Sequence, residues 1–265
     1  MRMMSIASGS SGNCIYVGTE STHILIDDGV SKKKVLEGLN KLDLKAEDIN
    51  AVLITHEHDD HIGGLGVFER HSVTPVYGTE KVVGYIRNCS KLGSIPEGIY
   101  HSFKAGDTFK IRDIEITTTS ISHDAADPVA YVLSDGRKKA GVITDLGQYD
   151  ERIIDSFSNL NCMLIEANHD INMLMTGRYP YYLKQRILGT RGHLSNESCG
   201  KLLSELLNDN IEHLLLGHLS KENNFPELAY ETVKNEINIA DNYHKADDFD
   251  IQVAGRDRAS DIIIF

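Results

Sequence analysis

Apolar and polar positions along the chain fall into short blocks whose period switches between two and about 3.6. Met3–Ser8, Cys14–Gly18 and His23–Asp27 are short apolar stretches divided by polar turns, and they predict three strands. Ser31 stands as a cap before a helix through Leu39, with Val35, Leu36 and Leu39 on its inner face. Ala51–Ile54 reads as a buried strand, Gly64–Arg70 begins a helix, and Thr79–Cys89 forms another. Ile99–Ile121 reads as a series of strands, with strict alternation in Asp113-Ile114-Glu115-Ile116-Thr117. Val129–Leu133 and Ala140–Thr144 flank Ser134-Asp135-Gly136, a hairpin turn. Asp150–Phe157, Leu174–Leu188 and Ser195–Asn208 predict helices, the second interrupted or delayed by Pro180. Asn161–Ile165 and Ile211–Leu216 predict strands. Pro226–Ala240 opens with proline where a helix tolerates it, and Asp250–Ala254 and Ile262–Phe265 close the chain. A strand-rich half followed by a mixed half, with no repeat or linker between, fits two packed sheets with helices outside, as one domain over residues 1–265.

Composition narrows the setting. With 41% hydrophobic residues the chain can bury a substantial core. No apolar run is long enough for a membrane helix, and the start lacks a signal-peptide apolar region. The four cysteines, Cys14, Cys89, Cys162 and Cys199, have no CxxC spacing and read as reduced thiols of a cytoplasmic protein. A net charge of −12 argues against broad nonspecific nucleic-acid binding, so any such partner must be held locally. No obligate protein partner is evident.

The chemistry concentrates in Thr55-His56-Glu57-His58-Asp59-Asp60-His61. Two residues apart at a strand end, His56 and His58 point to one face and can reach one metal ion. Asp60 and His61 follow, where the chain can turn them onto a second ion. Imidazole with carboxylate suits zinc, manganese or iron better than magnesium or calcium. Three more candidates end predicted strands: His123, Asp145 and His218.

The HxHxDH stretch resembles the second metal motif of the metallo-β-lactamase superfamily, whose fold is an αββα sandwich. His123, Asp145 and His218 match its third, fourth and fifth motifs in order. The resemblance implies one ion on His56, His58, His123 and Asp145, and another on Asp60, His61, His218 and the same Asp145. It implies that Asp27, in the first motif, orients ligands by hydrogen bonding. A turn-forming aspartate before Gly29 would look the same. Two ions sharing a water lower its proton affinity, so hydroxide forms near neutral pH, with Asp60 taking part in catalysis.

Glu166, in Ile165-Glu166-Ala167-Asn168-His169-Asp170, and His193, in Arg191-Gly192-His193-Leu194-Ser195-Asn196, resemble motifs of ribonuclease Z and β-CASP nucleases. The resemblance gives His193 contact with the scissile phosphate or leaving oxygen, and gives Glu166 its orientation. His193 as a plain loop histidine is the alternative, and His169 stands between the site and the surface. The full set, SGSSGN, THEHDDH, SHDAADP, TDLG, IEANHD, GHLSN and LLLGHLS, most closely resembles the YycJ/WalJ family of bacterial 5′→3′ DNA exonucleases. That implies a DNA partner with a 5′-phosphate end. The Ser8–Asn13 loop, with Ser10, Ser11 and Asn13, offers donors to an anion, though a bare turn would read alike. Ile171–Gly192 lacks acidic residues and carries Arg178, Lys184, Arg186 and Arg191 among Tyr179, Tyr181 and Tyr182. A solvated cationic helix is the other reading of that stretch. A small-molecule hydrolase of the lactamase, glyoxalase II or phosphodiesterase type is the main functional alternative.

Overall fold

The computed structural model describes residues 1–265. The first half builds β1 (Arg2–Ala7), β2 (Cys14–Gly18), β3 (His23–Ile26), β4 (Ala51–Leu53), β5 (Val76–Thr79) and β6 (Tyr100–Phe103). The second builds β7 (Thr108–Ile111), β8 (Ile114–Ser120), β9 (Val129–Ser134), β10 (Lys139–Ile143), β11 (Cys162–Glu166), β12 (His213–Gly217) and β13 (Asp250–Val253). A last short strand, β14 (Ile263–Ile264), returns to pair with β1. The result is two seven-stranded sheets, ordered β14-β1-β2-β3-β4-β5-β6 and β13-β12-β11-β10-β9-β8-β7. Each sheet has three antiparallel and three parallel pairings, and the parallel strands need crossover connections, which helices supply. This is an αββα sandwich, two mixed sheets flanked by helices, the layout the sequence led one to expect.

Period two explains the layering. Ile15 and Val17 of β2 face the other sheet beside Leu164 and Leu215, while Tyr16 between them packs outward with Val35 and Leu39. In β11, Cys162 and Leu164 face inward, whereas Met163 and Ile165 face the helix Asn196–Leu206. Strands buried on both faces read as continuous apolar runs.

Most expected elements are present, with three differences. Val76–Thr79 is a strand that the sequence did not signal, because Pro75 and Gly78 break its short pattern and its burial comes from neighbours. Thr79 therefore precedes the helix Glu80–Asn88 at its N-cap position, its hydroxyl donating to Asp127 O (3.0 Å) instead of capping. Leu174–Leu188 is two helices, Ile171–Thr176 capped by Asp170 and Tyr181–Leu188, parted at Gly177–Pro180. Finally, the strand before HxHxDH stops at Leu53, so His56 and His58 stand on a loop and strand alternation does not place them. No helix is long and apolar enough to cross a membrane.

Strands β3, β4, β8, β10, β11 and β12 all bring functional residues at or just beyond their C-terminal ends, along one edge of the sandwich. Tyr131 of β9 ties the two sheets there: its buried hydroxyl donates to Ile54 O at 2.6 Å, one residue past β4. Tyr131→Phe leaves that carbonyl buried and unpaired, with an expected loss of about 1–3 kcal/mol in urea unfolding. An unchanged midpoint would show the bond carries no net weight.

Candidate metal centre

The loop after β4 is shaped by backbone contacts before any side-chain chemistry. Asp28 N donates to His61 O (2.8 Å), Asn13 N to Asp60 O (2.8 Å) and Gly64 N to Asp28 O (2.8 Å). Gly29 makes the approach possible, since a Cβ there would lie 1.7 Å from Asp60 O. The short helix Asp59–Ile62 then turns Asp60 and His61 inward.

Four groupings of ligand-type atoms result, each with its atoms within 4.8 Å of one another. One is His56, His58 and His123; a second is Asp60, His61 and His218. Asp145 joins a third with His56 and His61, and a fourth with Glu166, His193 and His218. His56 Nε2 lies 3.0 Å and His123 Nε2 3.3 Å from His58 Nδ1. His61 Nε2 and His218 Nε2 each lie 3.5 Å from Asp60 Oδ2. Asp145 stands between the two sets, 3.1 Å from His61 Nε2 and 3.7 Å from both His123 Nε2 and His218 Nε2.

The donor set fits divalent metal ions. Nitrogen lone pairs so close repel unless a proton or a cation lies among them. Asp145 Oδ2 and His218 Nε2 are buried without hydrogen-bond partners, the condition expected of atoms meant for a metal. The sequence assignment of the seven ligands thus describes side chains that the fold brings together.

Around them runs a hydrogen-bonded support. Asp27 is wholly buried and accepts from Thr55 N (2.8 Å) and Thr55 Oγ1 (2.9 Å), with His61 Nδ1 at 2.7 Å. It therefore orients the His61 ring and also makes the turn, with φ at 61°. Asp145 and His218 likewise have positive φ, 58° and 56°, and both follow strands that must turn sharply into the site. His123 Nδ1 contacts Gly192 O (3.1 Å), and Ser8 Oγ accepts from His218 N (2.8 Å). Glu166 does more than the sequence suggested. Its Oε1 lies 2.8 Å from His193 Nδ1 and 2.7 Å from His218 Nδ1, while Oε2 accepts from Leu146 N (2.8 Å) and Leu194 N (3.2 Å).

The two halves hold protons differently. Burial, together with neighbouring imidazoles, pushes His56 well below its usual range. His123 is also lowered, chiefly by burial. For His218 burial acts the same way, but Asp145, Asp60 and Glu166 overcome it and raise the imidazole to about 10. His61 is raised in the same manner by Asp145, Asp60 and Asp27. Glu166, despite burial, is lowered to about 2 by His193 and His218.

The expected substrate contacts are placed less uniformly. Ser10 and Ser11 are exposed at their loop tip. Asn13 is not: it is buried, its Oδ1 accepts from Gly9 N (2.9 Å) and its Nδ2 lies 3.1 Å from His61 Nε2. Its carboxamide is spent inside the loop, which corrects its reading as a substrate contact. Arg178 is exposed. Arg186 forks onto Asp124 (2.5 and 3.1 Å), and Arg191 Nε donates to His123 O (3.0 Å), so both basic groups are engaged. Lys184 donates to Met175 O at 2.7 Å. His169 is buried, its Nε2 unpartnered, and it belongs to none of the four groupings.

Residues 22–218 match the model of the β-lactamase superfamily domain. The chain is 41% identical over 236 residues to the exodeoxyribonuclease WalJ of Streptococcus pneumoniae, covering 89% of this chain and 88% of that protein. It is 39% identical over 228 residues to the exodeoxyribonuclease YycJ of Bacillus anthracis, covering 86% of each. The solved structure of the metallo-β-lactamase fold protein YhfI from Bacillus subtilis superposes with a TM-score of 0.71 over 98% of both chains at 16% identity, a likeness of fold.

Since His61 and His218 hold protons that a metal must displace, metal uptake should release about one to two protons at pH 7–8. Affinity should rise with pH across that range, because the His218 imidazole, raised to about 10, must lose its proton to bind and His61 is raised in the same direction. Calorimetry in buffers of differing ionisation enthalpy measures the release, and heats independent of buffer would contradict it.

Proposed function

Because the chain belongs to the metallo-β-lactamase superfamily, and within it to the family of the WalJ and YycJ exodeoxyribonucleases, we propose that it is a metal-dependent exodeoxyribonuclease working from the 5′ end of DNA. The observation that carries this reading is near-full-length identity to those enzymes combined with a complete set of ligand side chains on one edge of the fold. His56, His58, His123 and Asp145 would hold one divalent cation, and Asp60, His61, His218 and Asp145 the other, zinc or manganese, with iron also suited to these donors. Such a pair supplies a water of lowered pKa and positive charge opposite the phosphoryl oxygens.

The chain's own residues do the rest. Burial lowers the proton affinity of His193, but Glu166 at 2.8 Å and the nearby Asp145 raise it above the usual histidine range. His193 keeps 18% of its side chain exposed, so a protonated ring can donate to the departing 3′ oxygen. Glu166, fixed by two backbone amides, holds the ring's orientation and its charge. Tyr181 and Tyr182 are 72% and 74% exposed on the helix that follows Pro180, and with Arg178 they offer a face for unpaired bases and backbone. This answers the net negative charge locally.

His193→Ala should keep both metals and lose roughly 10²–10⁴-fold in DNA cleavage. Metal content measured beside rate decides it: loss of metal would make His193 a ligand instead. Replacing Tyr181 and Tyr182 together by alanine should raise KM on single-stranded DNA by roughly tenfold or more, at about 1–3 kcal/mol per stacked base. Equal KM values would confine those rings to the surface. The reading as a whole is tested by end-labelled linear DNA against closed circles, where degradation of circles at the same rate rejects an exonuclease.

A further inference from the structure

We propose that Arg186 is a catalytic residue that neutralises the scissile phosphoryl group, and that Asp124 positions it there; this rests on the phosphodiester chemistry of the proposed function and deepens it.

Arg186 lies near the C-terminal end of the helix Tyr181–Leu188. Its guanidinium forks onto Asp124, the residue after the candidate ligand His123: Nε donates to Oδ2 (2.5 Å) and Nη2 to Oδ1 (3.1 Å). The same Oδ1 lies 3.4 Å from His123 Nε2, the ring nitrogen that stands 3.3 Å from His58 Nδ1 within the first ligand grouping. A single carboxylate oxygen therefore separates Arg186 from the edge of the centre. Its proton affinity is raised first by the bond to Asp124 and then, against partial burial, by the charges of Asp124, Asp60 and Asp145. Two of those three carboxylates belong to the centre itself.

The surroundings fix this arrangement from behind. Ser122 Oγ donates to Thr190 O (2.7 Å), Arg191 Nε donates to His123 O (3.0 Å), and His123 Nδ1 contacts Gly192 O (3.1 Å). The Ser122–Asp124 turn and the stretch that carries Arg186 and His193 are thus held to each other. Asp124 occupies only one edge of the guanidinium. Nη1 takes no part in the fork and the side chain is 53% exposed, so the edge formed by Nη1 and Nη2 is open to a second anion. A phosphodiester meets such an edge through its two nonbridging oxygens. As a hydroxide oxygen bonds to phosphorus, the bond to the 3′ oxygen breaks, and its electron pair leaves with that oxygen, which takes the His193 proton. Negative charge builds on the nonbridging oxygens meanwhile. A cation already fixed beside them stabilises that state more than the bound substrate.

The test uses the metal-loaded full chain with two substrates, single-stranded DNA and bis-p-nitrophenyl phosphate, a diester with no polymer to grip. Arg186→Gln should lose roughly 10²–10³-fold in kcat on both, as for removal of one charge-stabilising donor, with metal content unchanged. Arg186→Lys should recover part of the loss. Asp124→Asn should lose less, in kcat more than in KM, and Asp124→Glu should recover part of that. Both side chains are partly exposed, so all variants should melt close to the unaltered protein. A loss on DNA alone, with the small diester hydrolysed normally, would make Arg186 a groove contact and overturn the inference. Metal lost from Asp124→Asn would make Asp124 a ligand and overturn its positioning role. Hydrolysis of the small diester without DNA cleavage would remove the exodeoxyribonuclease reading, while the Arg186 variants still decide the inference on that diester. No hydrolysis of either would overturn both.

Discussion

The rest of the site depends on one carboxylate, Asp145, lying buried where side chains from both sheets converge. It comes within 3.1–3.7 Å of His61, His123 and His218, which arrive on separate elements. Alone it would be expelled from such a place, because burying a charge without partners is costly. Surrounded by imidazoles it is held well below the usual carboxylate range, and it in turn sets where their ring nitrogens must stand. Everything outward, including Asp27 beneath His61 and Glu166 beneath His218, keeps these rings facing that point.

Glu166 joins two tasks that the sequence kept apart. One of its oxygens meets both His218, in a metal-type grouping, and His193, the proposed proton donor. On that proposal, proton donation and metal retention share an acid. A change at Glu166 cannot be read as acting on only one of them.

The candidate ligands that the fold brings together were legible from sequence because each follows an apolar run, in an order that ordinary polar residues would not reproduce. His56 and His58 show the limit: they were found for the right residue types and the wrong geometry, since a loop rather than a strand presents them. Asn13 was misread because a Gly/Ser loop with an asparagine looks like an open anion site, and only its contacts reveal a buried brace. The charges of Arg186 and Arg191 were counted as free because Asp124 and His123 O lie more than sixty residues away in sequence. Val76–Thr79 escaped for a similar reason, being a strand by virtue of its neighbours.

Asp27, Asp145 and His218 share a left-handed backbone that their side chains disfavour. Each such residue costs of order 1 kcal/mol or more, so three of the chain's seven left-handed non-glycine positions are spent on the site. Heat and chemistry then select in opposite directions. Screening for thermal survival alone would reward glycine or asparagine at these turns, yielding proteins that are sturdier and inert. The resilience of this fold is bounded from within by the turns that make it useful.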